Sequence, residues 1–280
     1  MAWLALAALA ACAPSPEPAR PAFWRIDGPG GERGWLLGTI HALARPSAWR
    51  SPAIDRALGD SSLIAVEIAN LEDNAAMAGT FARLSRSAGQ PPLSTRVDPA
   101  LRPPLARLIA RAGRSEADFA GTETWAVALT LARAGEGSLD SAHGIDRAVL
   151  RMAGGRPVVE LEGAERQLGL FDAMPEREQR DLLNAVVRDE EGSPDGTLAE
   201  AWRKGDFGVL EAETRRGMLA DPELREVLFT GRNRAWTRRI AGLLQRGERP
   251  FVAVGAAHMA GADGLPAMLR ARGFAVRRIQ

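Results

Sequence analysis

The sequence has no tyrosine, a single cysteine, three histidines and one lysine among 36 basic residues. Each scarcity removes a class of chemistry. One cysteine cannot build a disulfide framework, and once lipidated it cannot serve as a nucleophile. Charge of one sign is also missing. The 36 basic and 35 acidic residues leave a formal net charge of +1, so no electrostatic field favours nucleic acid as a partner. There is no Gly-x-Ser-x-Gly elbow, no Walker loop, no Gly-x-Gly-x-x-Gly and no His-Glu-x-x-His. No apolar run is long enough for a transmembrane helix.

What remains is an ordinary globular composition, 46% hydrophobic and 25% charged over 280 residues. That length suits one large domain or two small ones. The lone cysteine, Cys12, closes an apolar stretch from Met1 to Ala11 that is too short to span a bilayer and reads as a signal-peptide core. Leu9-Ala10-Ala11-Cys12 resembles a bacterial lipobox, which makes residues 1–12 the signal segment and predicts that Cys12 is lipidated and becomes the mature N-terminus. No Lys or Arg precedes the core, a departure from the usual leader. Residues 13–22 are proline-rich and predict an extended tether. The folded domain is expected over 23–280.

Two stretches organise that domain. Gly34-Trp35-Leu36-Leu37-Gly38-Thr39-Ile40-His41 is an apolar run led in by Gly31-Glu32-Arg33. Pro250-Phe251-Val252-Ala253-Val254-Gly255-Ala256-Ala257-His258 echoes it, led in by Gly247-Glu248-Arg249. Both read as buried strands ending in Gly-x-x-His. Gly38 and Gly255 permit a tight exit or a close approach. The imidazoles then sit at the carboxyl ends of their strands, where open α/β sheets bind ligands.

Further strands are expected at Phe23–Ile26, pairing as a hairpin with Trp35–Thr39, and at Leu63–Ile68, 156–162 and Phe274–Ile279. The strand 63–68 carries Glu67. A carboxylate in an apolar strand must pair with an arginine or hold a metal. Glu160 and Glu162 mirror it in the strand 156–162. Helices are predicted from Ser51-Pro52 to Gly59, over Ala75–Ala88, Pro99–Ala112, Ser115–Ala120 and Thr122–Ala134, in a block from Glu165 to about Gln245, and over Leu265–Arg272. His143 is expected to cap or pack at the start of a helix. The fold class is α/β, a mixed sheet built from two related halves with long helical insertions.

Two imidazoles and up to three carboxylates at one sheet edge allow two chemistries. In one, His41, His258 and one or two of Glu67, Glu160 and Glu162 bind Mn, Zn, Co or Fe with an open position for water. In the other, no metal binds. A histidine is then general base on water, oriented by a glutamate, and an arginine steadies the oxyanion.

The pieces Gly38-Thr39-Ile40-His41-Ala42, Ser51-Pro52-Ala53-Ile54, Val66-Glu67, Gly144-Ile145-Asp146, Leu161-Glu162, Gln167-Leu168, Arg232-Asn233 and Gly255-Ala256-Ala257-His258 together resemble the TraB/GumN family over residues 23–280. The resemblance implies a superfamily that includes Tiki-type metalloproteases, pheromone-shutdown proteins, erythromycin esterase-like enzymes and haem-binding ChaN-like lipoproteins. It implies site roles for His41, Glu67 and His258, with Glu162 and Arg232 or Asn233 in support. The resulting expectation is an envelope hydrolase, metal-dependent, acting on a peptide or small-molecule amide or ester. It is held by a lipid anchor and faces the periplasm, on the outer membrane rather than the inner because Ala13, not Asp, follows Cys12. The alternative is a haem- or metal-binding lipoprotein without catalysis.

Overall fold

The computed structural model describes residues 15–135, 137–189 and 197–280. Cys12 and the leader therefore lie outside the described residues, as does the turn at 193–196. Among the described residues no helix is long and apolar enough to cross a membrane.

Among the described residues, eight strands form two sheets. The small one pairs β1 (Glu17–Pro18) with β4 (Ser47–Ala48) in parallel. The large one contains β2 (Phe23–Asp27), β3 (Arg33–Thr39), β5 (Leu63–Val66), β6 (Val158–Glu160), β7 (Pro250–Gly255) and β8 (Ala275–Arg278). Its order is β6-β5-β7-β3-β2-β8. The run β6-β5-β7-β3 is parallel, and β2 is antiparallel to both β3 and β8. The fold is thus α/β with a mixed sheet. The proline-rich segment is docked rather than free from Glu17 onward, since Arg20 N–H also donates to the Arg203 carbonyl at 2.6 Å.

Side chains alternate across the sheet, and each face carries its own core. Leu36, Val252 and Val254 pack beneath Trp236, Ile240 and Leu244 of the helix Gly231–Gln245. Leu37, Phe251 and Ala253 face Ile54, Val149 and Trp202 on the other side. A third core, around Trp125, Leu131, Leu182 and Leu183, belongs to the inserted helices alone.

Most element boundaries differ from expectation by a few residues, and the causes are local. The helix predicted over Ala75–Ala88 runs Asn74–Leu84. It stops because Ser85 and Ser87 turn to bond residues 121–123. The strand expected to Ile68 ends at Val66. The Glu67 carbonyl there accepts the N–H groups of Glu162 and Gly163, at 3.2 and 2.9 Å, and bends the chain away. Glu67 and Glu162 therefore lie just beyond their strands rather than within them.

Candidate functional site

β3 and β7 are parallel neighbours, with Gly38 opposite Val254 and Thr39 opposite Gly255. Both Gly-x-x-His segments therefore leave the sheet at the same edge. β5 delivers Glu67 to that edge beside β7, and β6 leads into Glu162 beside β5. Parallel pairing of four strands gathers side chains that are far apart in sequence.

The two glycines are close-approach positions. A Cβ on Gly38 would lie 3.1 Å from Ala256. A Cβ on Gly255 would lie 3.4 Å from both Glu67 Oε1 and His41 Nε2. Those two groups thus face the same bare stretch of backbone, and the Gly255 N–H donates to Glu67 Oε1 at 2.8 Å.

Arg232 is the hub. Its Nη2 donates to Glu67 Oε2 at 2.9 Å, and its Nε and Nη2 reach Glu162 Oε2 at 3.0 and 2.8 Å. Its Nη1 lies 3.4 Å from His258 Nε2, and the guanidinium stacks over Trp236 at 4.6 Å. Arg232 is brought there by a wide helical turn, Glu226–Thr230, in which the Gly231 N–H reaches back five residues to the Glu226 carbonyl. Such π-type turns often shape functional sites.

The tautomer of His258 follows from its neighbour. Asn233 Nδ2 donates to the Asp263 carbonyl at 2.7 Å, so its Oδ1 must face His258 Nδ1, also at 2.7 Å. Nδ1 then carries the proton and Nε2 keeps a lone pair toward Arg232. The ring stacks on Phe229 at 5.4 Å and packs against Trp236 at 4.5 Å. Burial drives its pKa down to about 3, with Glu67 opposing and Arg232 assisting, so it is neutral at physiological pH.

His41 is the opposite case. Its Nδ1 lies 2.9 Å from Asp146 Oδ2, while Thr39 Oγ1 donates to Asp146 Oδ1. The Asp146 charge raises the imidazole to about 10, although 66% of the side chain is open to screening water. Burial pushes the carboxyls of Glu67 and Asp146 up, but neighbouring positive charge outweighs it and both end below their ordinary values. For Glu67 at neutral pH that charge comes from His41 and Arg232, because His258 is uncharged. Burial raises Glu162, with Arg232 opposing.

The structure thus brings His41, Glu67, Glu162, Arg232, Asn233 and His258 together. Glu160 stands apart, accepting the Ala69 N–H at 2.8 Å. His143 holds the Leu43 carbonyl at 3.2 Å and packs there as a structural residue. Asp146 is a member that sequence reasoning did not assign a role. The signal available was its place in Gly144-Ile145-Asp146, one of the pieces that carry the resemblance; the close packing of Gly144, where a Cβ would meet the His41 carbonyl at 2.3 Å, belongs to the structure alone.

With this geometry in view, the whole chain can be placed. It belongs to the TraB/PrgY/gumN family. That family's model matches residues 22–278. The chain is similar to YbaP of Shigella flexneri and to YbaP of Escherichia coli (strain K12), both described as uncharacterized proteins. Each is 26% identical over 251 residues, covering 86% of this chain and 89% of the relative. No solved structure matches it significantly.

The donor set fits a divalent ion in its chemistry. Each imidazole is held at Nδ1 by an oxygen acceptor, the arrangement that orients metal-binding histidines, and Glu67 supplies carboxylate oxygen. The ligand atoms are not gathered, however. Among the described residues the set of three with ligand atoms within 4.8 Å of one another is Glu178, Asp181 and Asp221, with Arg177 bound to Glu178. At the sheet edge, the Arg232 guanidinium takes the place between Glu67 and His258.

Proposed function

We propose that the protein is a lipid-anchored envelope hydrolase that cleaves a peptide, or another amide or ester, at this sheet edge with a divalent metal. The observation that carries the reading is the paired presentation of His41 and His258, each fixed at Nδ1 by an outer oxygen with Nε2 left for the site. An ion of the Mn, Zn, Co or Fe class held by His41, Glu67 and His258 would supply an acidified water. The chain's own residues do the rest. Asp146 and Asn233 hold the rings in register. Glu67, steadied by the Gly255 N–H, is ligand or proton acceptor. Glu162 holds Arg232, whose charge faces the place where an oxyanion would develop. The lipobox-like Leu9–Cys12 supports the anchor, and Ala13 supports the outer membrane.

The test is elemental analysis of the purified chain after incubation with Mn2+, Zn2+, Co2+ or Fe2+, wild type beside His258→Ala. About one equivalent in wild type and none in the variant is expected. Peptide hydrolysis is assayed in parallel, and full activity in a His41→Ala, His258→Ala double variant would sink the reading.

One observation favours a metal-free variant of the same hydrolase. Arg232 occupies the gap between Glu67 and His258. There Glu67, ionised beside Arg232, would take a proton from the attacking water, His41, kept as imidazolium by Asp146, would donate one to the leaving group, and Arg232 would stabilise the oxyanion between the two steps. Haem capture has less support, because His258 is 8% exposed between two aromatic rings.

A further inference from the structure

The cleft at His41 and Glu67, about 210 Å³, does not end at the catalytic edge. Ser141 and Arg147 line it and also line a second compartment of about 860 Å³. The second compartment alone lies in the size range of specific ligand sites. One wall of the second compartment is the helix Asn74–Leu84. Its sequence, Asn-Ala-Ala-Met-Ala-Gly-Thr-Phe-Ala-Arg-Leu, is largely apolar, yet none of its residues is buried. Met77 and Phe81 are instead half-buried along the groove, opposite Leu129 and Leu168. Phe81, Leu129 and Leu168 rest with one side on the third core, Phe81 against Trp125 at 5.5 Å, and leave their other side as apolar surface along the groove.

The charges in this compartment are unequal. Arg133, Arg147 and Arg151 face it against Glu72 and Asp140. Glu72 is shared between Arg147 at 3.5 Å and Arg151 at 3.2 Å. Asp140 caps a turn at Ala142 N–H. Arg133, exposed on the helix Thr124–Gly135, enters no ion pair among the described residues. The groove therefore offers an apolar floor and, among the described residues, one guanidinium without an ion pair, which suits carboxylate recognition.

We infer that this compartment is the specificity subsite of the hydrolase and selects a peptide carrying an apolar side chain followed by a carboxylate. The apolar side chain rests on Met77, Phe81, Leu129 and Leu168. The carboxylate pairs with Arg133. The inference rests on the hydrolase reading for the word "substrate", but the binding it describes can be measured without turnover.

The experiment uses the full-length protein with EDTA and fluorescence anisotropy. One probe is a fluorescein-labelled Gly-Ala-Leu-Phe-Glu with a free C-terminus. The other is the matched Gly-Ala-Leu-Phe-Gln amide. Mass spectrometry confirms that both stay intact. The acidic peptide is expected to bind at least about ten-fold more tightly, with a preference that shrinks as salt rises. Arg133→Glu should erase that preference and spare the neutral peptide. Met77→Asp should weaken both peptides. Both positions lie on helix surfaces outside the cores, so the variants are expected to fold. Equal binding of the two peptides to wild type, or a preference that survives Arg133→Glu, overturns the subsite. The two readings fail separately. Charge-selective binding without hydrolysis at any metal would overturn the hydrolase and leave the subsite standing. Hydrolysis indifferent to charge would do the reverse.

Discussion

The two Gly-x-x-His ends share a spacing, a sheet edge and an Nδ1 acceptor, yet they hold their histidines in opposite states. His41 is exposed and cationic, and His258 is buried and neutral. The acceptors explain much of this. Asp146 is a charged carboxylate and stabilises an imidazolium, whereas Asn233 offers a neutral amide oxygen. Arg232, 3.4 Å from His258 Nε2, adds a positive charge that disfavours a second one. The difference teaches that the motif sets where an imidazole emerges. The residues that close around it set what the imidazole can do. A site with one charged and one neutral histidine is built for unequal roles, whichever cofactor it uses.

The largest expected effect comes from the residue that ties the two ends together. Arg232→Ala leaves Glu67 and Glu162 buried without their cation, which should cost about 3–5 kcal/mol. Urea unfolding at pH 7 reads this directly. A loss under about 1 kcal/mol would mean that water reaches both carboxylates. The two histidines should then separate. His258→Ala removes a ring packed against Phe229 and Trp236 and strands Asn233 Oδ1, so a loss of about 2–4 kcal/mol is expected. His41→Ala should cost less, about 1–2 kcal/mol at pH 7, because its ring is mostly in water and packs little, although it leaves the buried Asp146 with Thr39 as its partner. Similar losses at both positions would break the contrast.

The contrast also predicts opposite pH limbs. The folded pKa of His258 lies at about 3, below its unfolded value of 6.5. The unfolded chain therefore takes up a proton that the folded chain refuses. Stability should fall as pH drops from about 6.5 toward 3, by up to about 1.4 kcal/mol per unit from this group. Between pH 6.5 and 5 the carboxylates held below their ordinary values contribute little and the raised Glu162 opposes the decline, so His258→Asn should flatten or reverse the slope there. His41 has the opposite sign. Its folded pKa is raised to about 10, so its contribution is full below pH 6.5 and fades as pH rises toward 10. Asp146→Asn should remove that alkaline decline, and thermal melts from pH 5 to 10 would separate the two.

Much of this arrangement was legible in the sequence. Apolar runs bounded by Gly-Glu-Arg and Gly-x-x-His gave β3 and β7 and their exit edge. A carboxylate after Leu63–Val66 marked Glu67. The period-2 signal could not say where a strand stops, because the bend at Glu67 is made by N–H groups of Glu162 and Gly163, about 95 residues away. Asp146 was hidden for the same reason. Its chemistry depends on a helix start packing under the His41 carbonyl, a contact no local pattern encodes. The charge states of the two histidines were illegible too, since both sequences around them are apolar and the deciding partners come from other elements.

The smallest stability effect should carry a distinct functional one. Gly255 has a negative φ, −46° with ψ 132°, so alanine is not forced into the left-handed region there. Its Cβ would nevertheless arrive 3.4 Å from Glu67 Oε1 and His41 Nε2 together, the one point where both ends of the site converge on backbone. A shift of a few tenths of an ångström in either group relieves the contact at a cost of under about 1 kcal/mol. The same shift misaligns two groups that must act on one bound molecule, and small displacements of this kind lower rates steeply. Gly255→Ala should therefore unfold at nearly the wild-type urea concentration while losing about ten-fold or more in hydrolysis or in metal affinity. If the variant kept full function, Glu67 and His41 would not act together, and the two Gly-x-x-His ends would have to be treated as separate sites.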